Sequence, residues 1–166
     1  MKVLGCILIF LACTLMGTFK WFSLKKRCAN LMDIKNVTEN LKAQIGFLKN
    51  DLPTAFFNAA LGHSVFSLYK NCAENIINLG VDQAWEEGLR LYAHSLFFTK
   101  DDIKTLKTFS HNLGKTDTES QLHTLDIISA KTEELYQNAL CDYREKGSLY
   151  KTAGSAIGVF LVLLLI

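Results

Sequence analysis

His111–Ser120 reads HNLGKTDTES. Its centre, Gly114-Lys115-Thr116, matches the closing triplet of a phosphate-binding P-loop, a motif of Gly, four residues, then Gly-Lys-Ser/Thr between a buried strand and a helix. Read that way, the fold is α/β and the chain hydrolyses a nucleotide. Read as a turn between two helices, the fold is all-α. The first glycine of the motif would fall at position 109, which is Phe109. The apolar residues leading in, Ile103, Leu106, Phe109 and Leu113, are three and four apart, the spacing of a helix face. Gly114 then suits the left-handed position that closes a helix. Thr116 or Asp117 offers a side-chain oxygen to the first N–H groups of the next helix, with Glu119 favourable in its first turn. The stretch is helix-turn-helix punctuation, and no cofactor site is expected.

The same period extends in both directions. Leu24, Cys28, Leu31, Ile34, Val37, Leu41, Ile45 and Leu48 form one continuous stripe. Pro53, the one proline, fits the first turn of a second helix. Leu52–Leu61 and His63–Leu79 read as further helices, closed by Gly62 and Gly80, and Asp82 is placed to cap the helix carrying QAWEEGLRLYAHSLF. Thr99-x-x-Asp102 resembles a capping box. Leu122, Leu125, Ile128, Thr132, Leu135 and Ala139 mark a last long helix. No alternating strand pattern is found, so the expected architecture is an all-α bundle.

Apolar residues concentrate at the two ends. Val3–Phe22 has Lys20 as its one charge and is close to the ~20 residues that a bilayer core requires. Trp21 and Phe22 would lie at the interface. Thr152–Ile166 is uncharged but spans only about 22 Å as a helix; Lys151 can snorkel and Tyr150 can anchor, which recovers the missing turn. The first segment also fits a cleaved signal peptide, with FLAC at Phe10–Cys13 as a lipoprotein-like site. The apolar run continues well past Cys13, which favours an uncleaved anchor. The expected domains are an N-terminal transmembrane helix, 1–22, a helical domain, 23–146, and a C-terminal transmembrane helix, 147–166. Lys20, Lys25, Lys26, Arg27, Arg144, Lys146 and Lys151 flank the inner ends of the apolar segments. The positive-inside rule therefore predicts a cytoplasmic middle domain.

Charge excludes one class of partner. Lys+Arg is 18 against Asp+Glu 16, with no basic stripe, so no nucleic-acid partner is expected. Five cysteines without a C-x-x-C spacing are not a disulfide framework. His63, His94, His111 and His123 lack any metal-binding spacing, so no metal is expected. Glu86 and Glu87 are adjacent and diverge by about 100° on a helix, as do Glu133 and Glu134, so neither pair forms a carboxylate dyad. No catalytic residue can be named, and the chain reads as a non-enzyme. Trp85, Phe56, Phe57, Phe66, Phe97 and Phe98 read mainly as core, with Phe97-Phe98 partly exposed before its cap as the exception.

AWEEGL at Ala84–Leu89, LGKTD at Leu113–Asp117 with Gln121 following, and the two apolar ends resemble the stage III sporulation protein AB family. The resemblance follows nearly the whole chain and is closest from Ala84 to Ile166. It implies a likeness to the cytoplasmic domain of type II secretion and type IV pilus platform proteins. It further implies a non-enzymatic part in the channel between mother cell and forespore during engulfment, in the mother-cell membrane around the forespore. Its partners would be other stage III sporulation proteins, including a secretion-type ATPase, stage III sporulation protein AA. A generic membrane-anchored adaptor or sensor is the alternative. Trp85, Glu86 and Glu87 are the candidate partner contact, since the resemblance falls there. Gly154 and Gly158 have G-x-x-x-G spacing, and Cys13 and Gly17 give the first span a similar small-residue face. These faces predict membrane-helix packing, either within one chain or between subunits of a homo-oligomer.

Overall fold

The computed structural model describes residues 2–111 and 113–165. Met1, Asn112 and Ile166, which complete the terminal segments and the opening decapeptide, lie outside them. Every regular element among the described residues is helical: α1 Lys2–Gly46, α2 Leu52–Ala59, α3 Phe66–Tyr92, α4 Lys100–Lys107 and α5 Thr118–Leu165, with one 3₁₀ turn at Thr108–Ser110. The fold is all-α. Its apolar ends belong to α1 and α5, both long and apolar enough to cross a membrane.

The chain divides into two compact units, residues 2–28 with 138–165, and residues 29–137. In the first, the N-terminal part of α1 runs antiparallel to the C-terminal part of α5. Gly17 faces Gly154, Gly158 faces Phe10 and Cys13, and Gly147 faces Trp21. Leu8, Leu15, Met16 and Phe19 on one helix, and Ile157, Phe160, Leu163 and Leu164 on the other, are exposed. A belt of exposed aliphatic and aromatic side chains is what a lipid-facing surface requires. The hydroxyls of Thr14 and Thr18 donate to the carbonyls of Phe10 and Thr14, so neither is left unsatisfied in hydrocarbon. Lys20 and Lys151 each lie three residues from their seam glycine, Gly17 and Gly154, toward the same end of the pair. The two apolar segments therefore end at one level.

The second unit is a helical cluster around an aromatic centre. From α1, Leu31, Ile34, Val37 and Leu41 are fully buried. Burying each such side chain contributes roughly 1.5–3 kcal/mol. The stripe ends at Ile45. Leu48 lies past the helix end and is exposed, because Lys49 turns left-handed at φ 50° and Asn50 N–H returns to the Gln44 carbonyl. α2 starts on Asp51, whose carboxylate accepts from Thr54 N–H, with Pro53 in the first turn.

The helix expected from His63 begins instead at Phe66. Asp33 on α1 takes the Ser64 N–H at 2.8 Å and the Ser64 hydroxyl at 2.6 Å, which holds residues 62–64 as a turn. Gly80 breaks α3 with φ 76° and ψ 163°, so α3 is two helical stretches meeting at a kink. That backbone conformation is open to glycine alone. α1 and α5 are also stitched by polar side chains in this unit. Lys35–Glu133 at 2.5 Å, Ser129–Glu39 at 2.5 Å and Lys42–Asp126 at 2.6 Å succeed one another along the pair.

Candidate functional site

The Gly114-Lys115-Thr116 stretch is a surface turn. Gly114 is left-handed at φ 79°. A Cβ there would stand 2.7 Å from Leu52 Cδ1, so the Leu52 side chain would have to shift to admit one. Leu113 is buried, which anchors the turn. Asp117 accepts from the N–H and the hydroxyl of Ser120 and so caps α5, while Thr116 offers its carbonyl to Gln121. Its hydrogen bonds with Ser120 hold the Asp117 carboxyl below the ordinary range. Lys115 pairs with Asp82 and donates to the His111 carbonyl. With these two contacts the Lys115 ammonium clasps the turn.

Trp85, Glu86 and Glu87 separate in space. Trp85 is fully buried, stacked on Phe109 at 4.6 Å and edge-on to Tyr69 at 5.1 Å, with its indole N–H donating to the Leu106 carbonyl at 2.7 Å. It is core, so of the three residues expected to meet a partner only the glutamates reach the surface. The correction follows from helix geometry, because Trp85 shares its face with Val81, Gly88 and Leu89, all buried. Glu86 pairs with Lys107 at 2.5 Å and Glu87 with Arg90 at 3.2 Å. Both pairs edge an open groove of about 670 Å³ between α3 and α4, floored by Leu89, Ala93, Phe98 and Ile103. Phe98 is buried there, set by Phe97, which takes a positive φ of 59° just before the Thr99 cap.

Asp33 gathers a second polar cluster on α1. His63 Nδ1 lies 3.1 Å from Asp33, and the Ser64 hydroxyl bonds Asp33 and Asn30. This is a serine–histidine–aspartate trio by composition alone: the hydroxyl turns to the carboxylate, away from the imidazole that would have to activate it. Burial pushes the Cys72 thiol up to about 12, which favours its neutral form. The five cysteines are free, and among the described residues no group of three or more His, Cys, Asp or Glu side chains could hold a metal ion.

The small-residue faces of α1 and α5 meet within one chain. A Cβ on Gly154 would stand 2.9 Å from the Cys13 carbonyl oxygen and 3.0 Å from the Gly17 Cα; one on Gly158 would stand 3.0 Å from the Phe10 ring. Sequence reading missed two partners of this seam. Gly147 admits Trp21, and Asp142 takes Arg27 at 2.9 Å. Equal counting back from Gly154 and forward from Gly17 in antiparallel register sets Leu24 opposite Gly147 and Ala29 opposite Asp142, so neither contact follows from the register alone.

The family model described as Stage III sporulation protein AB (spore_III_AB) matches residues 2–166. Stage III sporulation protein AB of Bacillus subtilis (strain 168) is 25% identical over 170 residues, covering 99% of each chain. No solved structure matches. A correspondence that takes in both membrane helices and everything between them leaves no part of the fold unaccounted for: the chain belongs to the stage III sporulation protein AB family, a membrane protein with a role in sporulation.

Proposed function

We propose that this protein is a non-enzymatic platform of a secretion-like channel complex between mother cell and forespore. It is held in the mother-cell membrane around the forespore, with its helical domain in the cytoplasm. The observation that carries this reading is the groove between α3 and α4. An apolar floor rimmed by the Glu86–Lys107 and Glu87–Arg90 pairs is the form of a docking surface. The floor supplies area, and the rim pairs can exchange their partners for charges on an incoming protein. The occupant proposed is a secretion-type ATPase, the cytoplasmic neighbour to which the family resemblance points.

The reading is tested by purifying the full chain from sporulating membranes, with Glu86→Lys and Glu87→Lys beside the wild type. The ATPase should accompany the wild type and be lost from the double variant while its helical content is unchanged. Equal recovery from both would remove this groove from the interface. Orientation is tested separately by labelling Cys141, which is exposed. In sealed cells it should be protected from an impermeant reagent; labelling from outside would overturn the cytoplasmic assignment.

A further inference from the structure

Charge is unbalanced where the apolar halves of α1 and α5 end. Lys20, Lys25, Lys26, Arg27, Arg144, Lys146 and Lys151 stand against Asp142 and Glu145. Asp142 is already shared by Arg27 at 2.9 Å and Lys146 at 2.5 Å, and Glu145 accepts from the Cys141 thiol. Lys20, Lys25, Lys26, Arg144 and Lys151 are exposed, and among the described residues none of these five meets a carboxylate. An excess of this kind, held by the fold beside an apolar belt, calls for an anion from outside the chain.

The aromatic residues set the geometry. Lys25 from α1 lies 5.4 Å from the Trp21 ring centre and Lys151 from α5 lies 5.8 Å from it; Lys26 lies 5.7 Å over Phe22. Cation–π contact steadies each ammonium without using its N–H donors on an acceptor. Trp21 is itself fixed between the helices, 3.2 Å from a Cβ position at Gly147 and 6.4 Å from the Tyr143 ring. Lys20 and Lys151 stand level at the edge of the exposed apolar surface, next to Phe19 and Tyr150. In a bilayer that edge lies at the depth of the lipid phosphates.

We infer that this collar of Lys20, Lys25, Lys26, Arg144 and Lys151 around Trp21 binds anionic phospholipid headgroups and gathers them around the protein in preference to zwitterionic ones. The inference rests on the reading of the apolar helices as membrane spans and is independent of any partner protein.

The test uses the full chain in vesicles of phosphatidylcholine with a minority of phosphatidylglycerol. Two vesicle sets have the same headgroups and differ only in which lipid carries brominated acyl chains, which quench nearby tryptophan. Subtracting the signal of Trp21→Phe isolates Trp21 from Trp85. Quenching per brominated lipid should be about threefold stronger when phosphatidylglycerol carries the bromine. The preference should shrink in high salt and approach parity when Lys20, Lys25, Lys26 and Lys151 are all changed to Gln. Parity in the wild type would overturn the proposal without recourse to any variant. A preference that survives the four substitutions would overturn its assignment to these lysines. Absence of quenching by either lipid would instead remove the membrane placement on which it rests.

Discussion

Gly17 and Gly154 meet backbone to backbone: a Cβ added to Gly17 would stand 3.1 Å from the Gly154 Cα and 2.5 Å from the Tyr150 carbonyl oxygen. Neither neighbour can move without shifting a helix. At Gly158 the nearest atom belongs to the Phe10 ring, at 3.0 Å, and a ring can turn aside. Gly17→Ala should therefore destabilise the pair by about 1–3 kcal/mol, with Gly158→Ala clearly milder. Reversible unfolding of the full chain in detergent micelles measures both; equal losses would mean that the seam is looser than its contacts imply.

Trp85 separates a packing role from a surface role. Trp85→Ala removes the ring between Phe109 and Tyr69 and should cost about 3–5 kcal/mol. Trp85→Phe keeps most of the volume but leaves the Leu106 carbonyl without its indole partner, and should cost about 1–3 kcal/mol. Thermal unfolding ranks the two. A Trp85→Ala protein as stable as the wild type would contradict the buried position.

The Gly114-Lys115 turn gives opposite expectations at adjacent residues. Lys115→Ala loses an exposed ion pair with Asp82 and should cost under ~1 kcal/mol. Gly114→Val places a β-branched residue at φ 79° against Leu52 and should cost several times more. Calorimetric titration with ATP should show no binding to either variant or to the wild type. A measurable affinity abolished by Lys115→Ala would restore the P-loop reading.

Acid should loosen the α1–turn junction through Asp33. Burial alone would push its carboxyl up, but hydrogen bonds from Ser64 and His63 outweigh this and hold it below its ordinary value. A carboxyl with a depressed folded pKa contributes stability that is fully present above the unfolded value, near ~3.9, and is lost as pH falls through the folded value. Stability should thus fall below about pH 4, and Asp33→Asn should flatten part of that slope. Denaturant midpoints collected across this range decide it; parallel slopes in wild type and variant would exclude Asp33 as a contributor.

Local chemistry made much of the fold legible. The stripe from Leu31 to Ile45 is buried as its spacing requires, and Thr99 with Asp102 forms the reciprocal capping box that their separation suggests. These features depend on residues three or four apart, which share a helix face or a helix end. The start of α3 was misplaced because Ser64 is held by Asp33, far away in sequence. The groove was invisible for the same reason, since its floor joins Leu89 to Ile103 and its rim joins Glu86 to Lys107 across a turn. Trp85 lay within reach of sequence reading, because its helical neighbours Val81 and Leu89 are apolar. The reading of Trp85 as core was therefore the right one, and it was the likeness of the surrounding segment to a known family that also offered it as a partner contact.

The Gly17–Gly154 contact also has an order in time. During synthesis the α1 span reaches the bilayer with its glycine face bare, and residues 29–137 are made before the matching face of α5 exists. Domains generally fold as units in the order in which they are made, so the seam closes after the helical unit has formed. Until then the bare face is open to the equivalent face of another copy, and a seam closed between copies would exchange partners as a domain swap does. A delay of α5 behind α1 would thus favour closure with a neighbouring copy over closure within the chain.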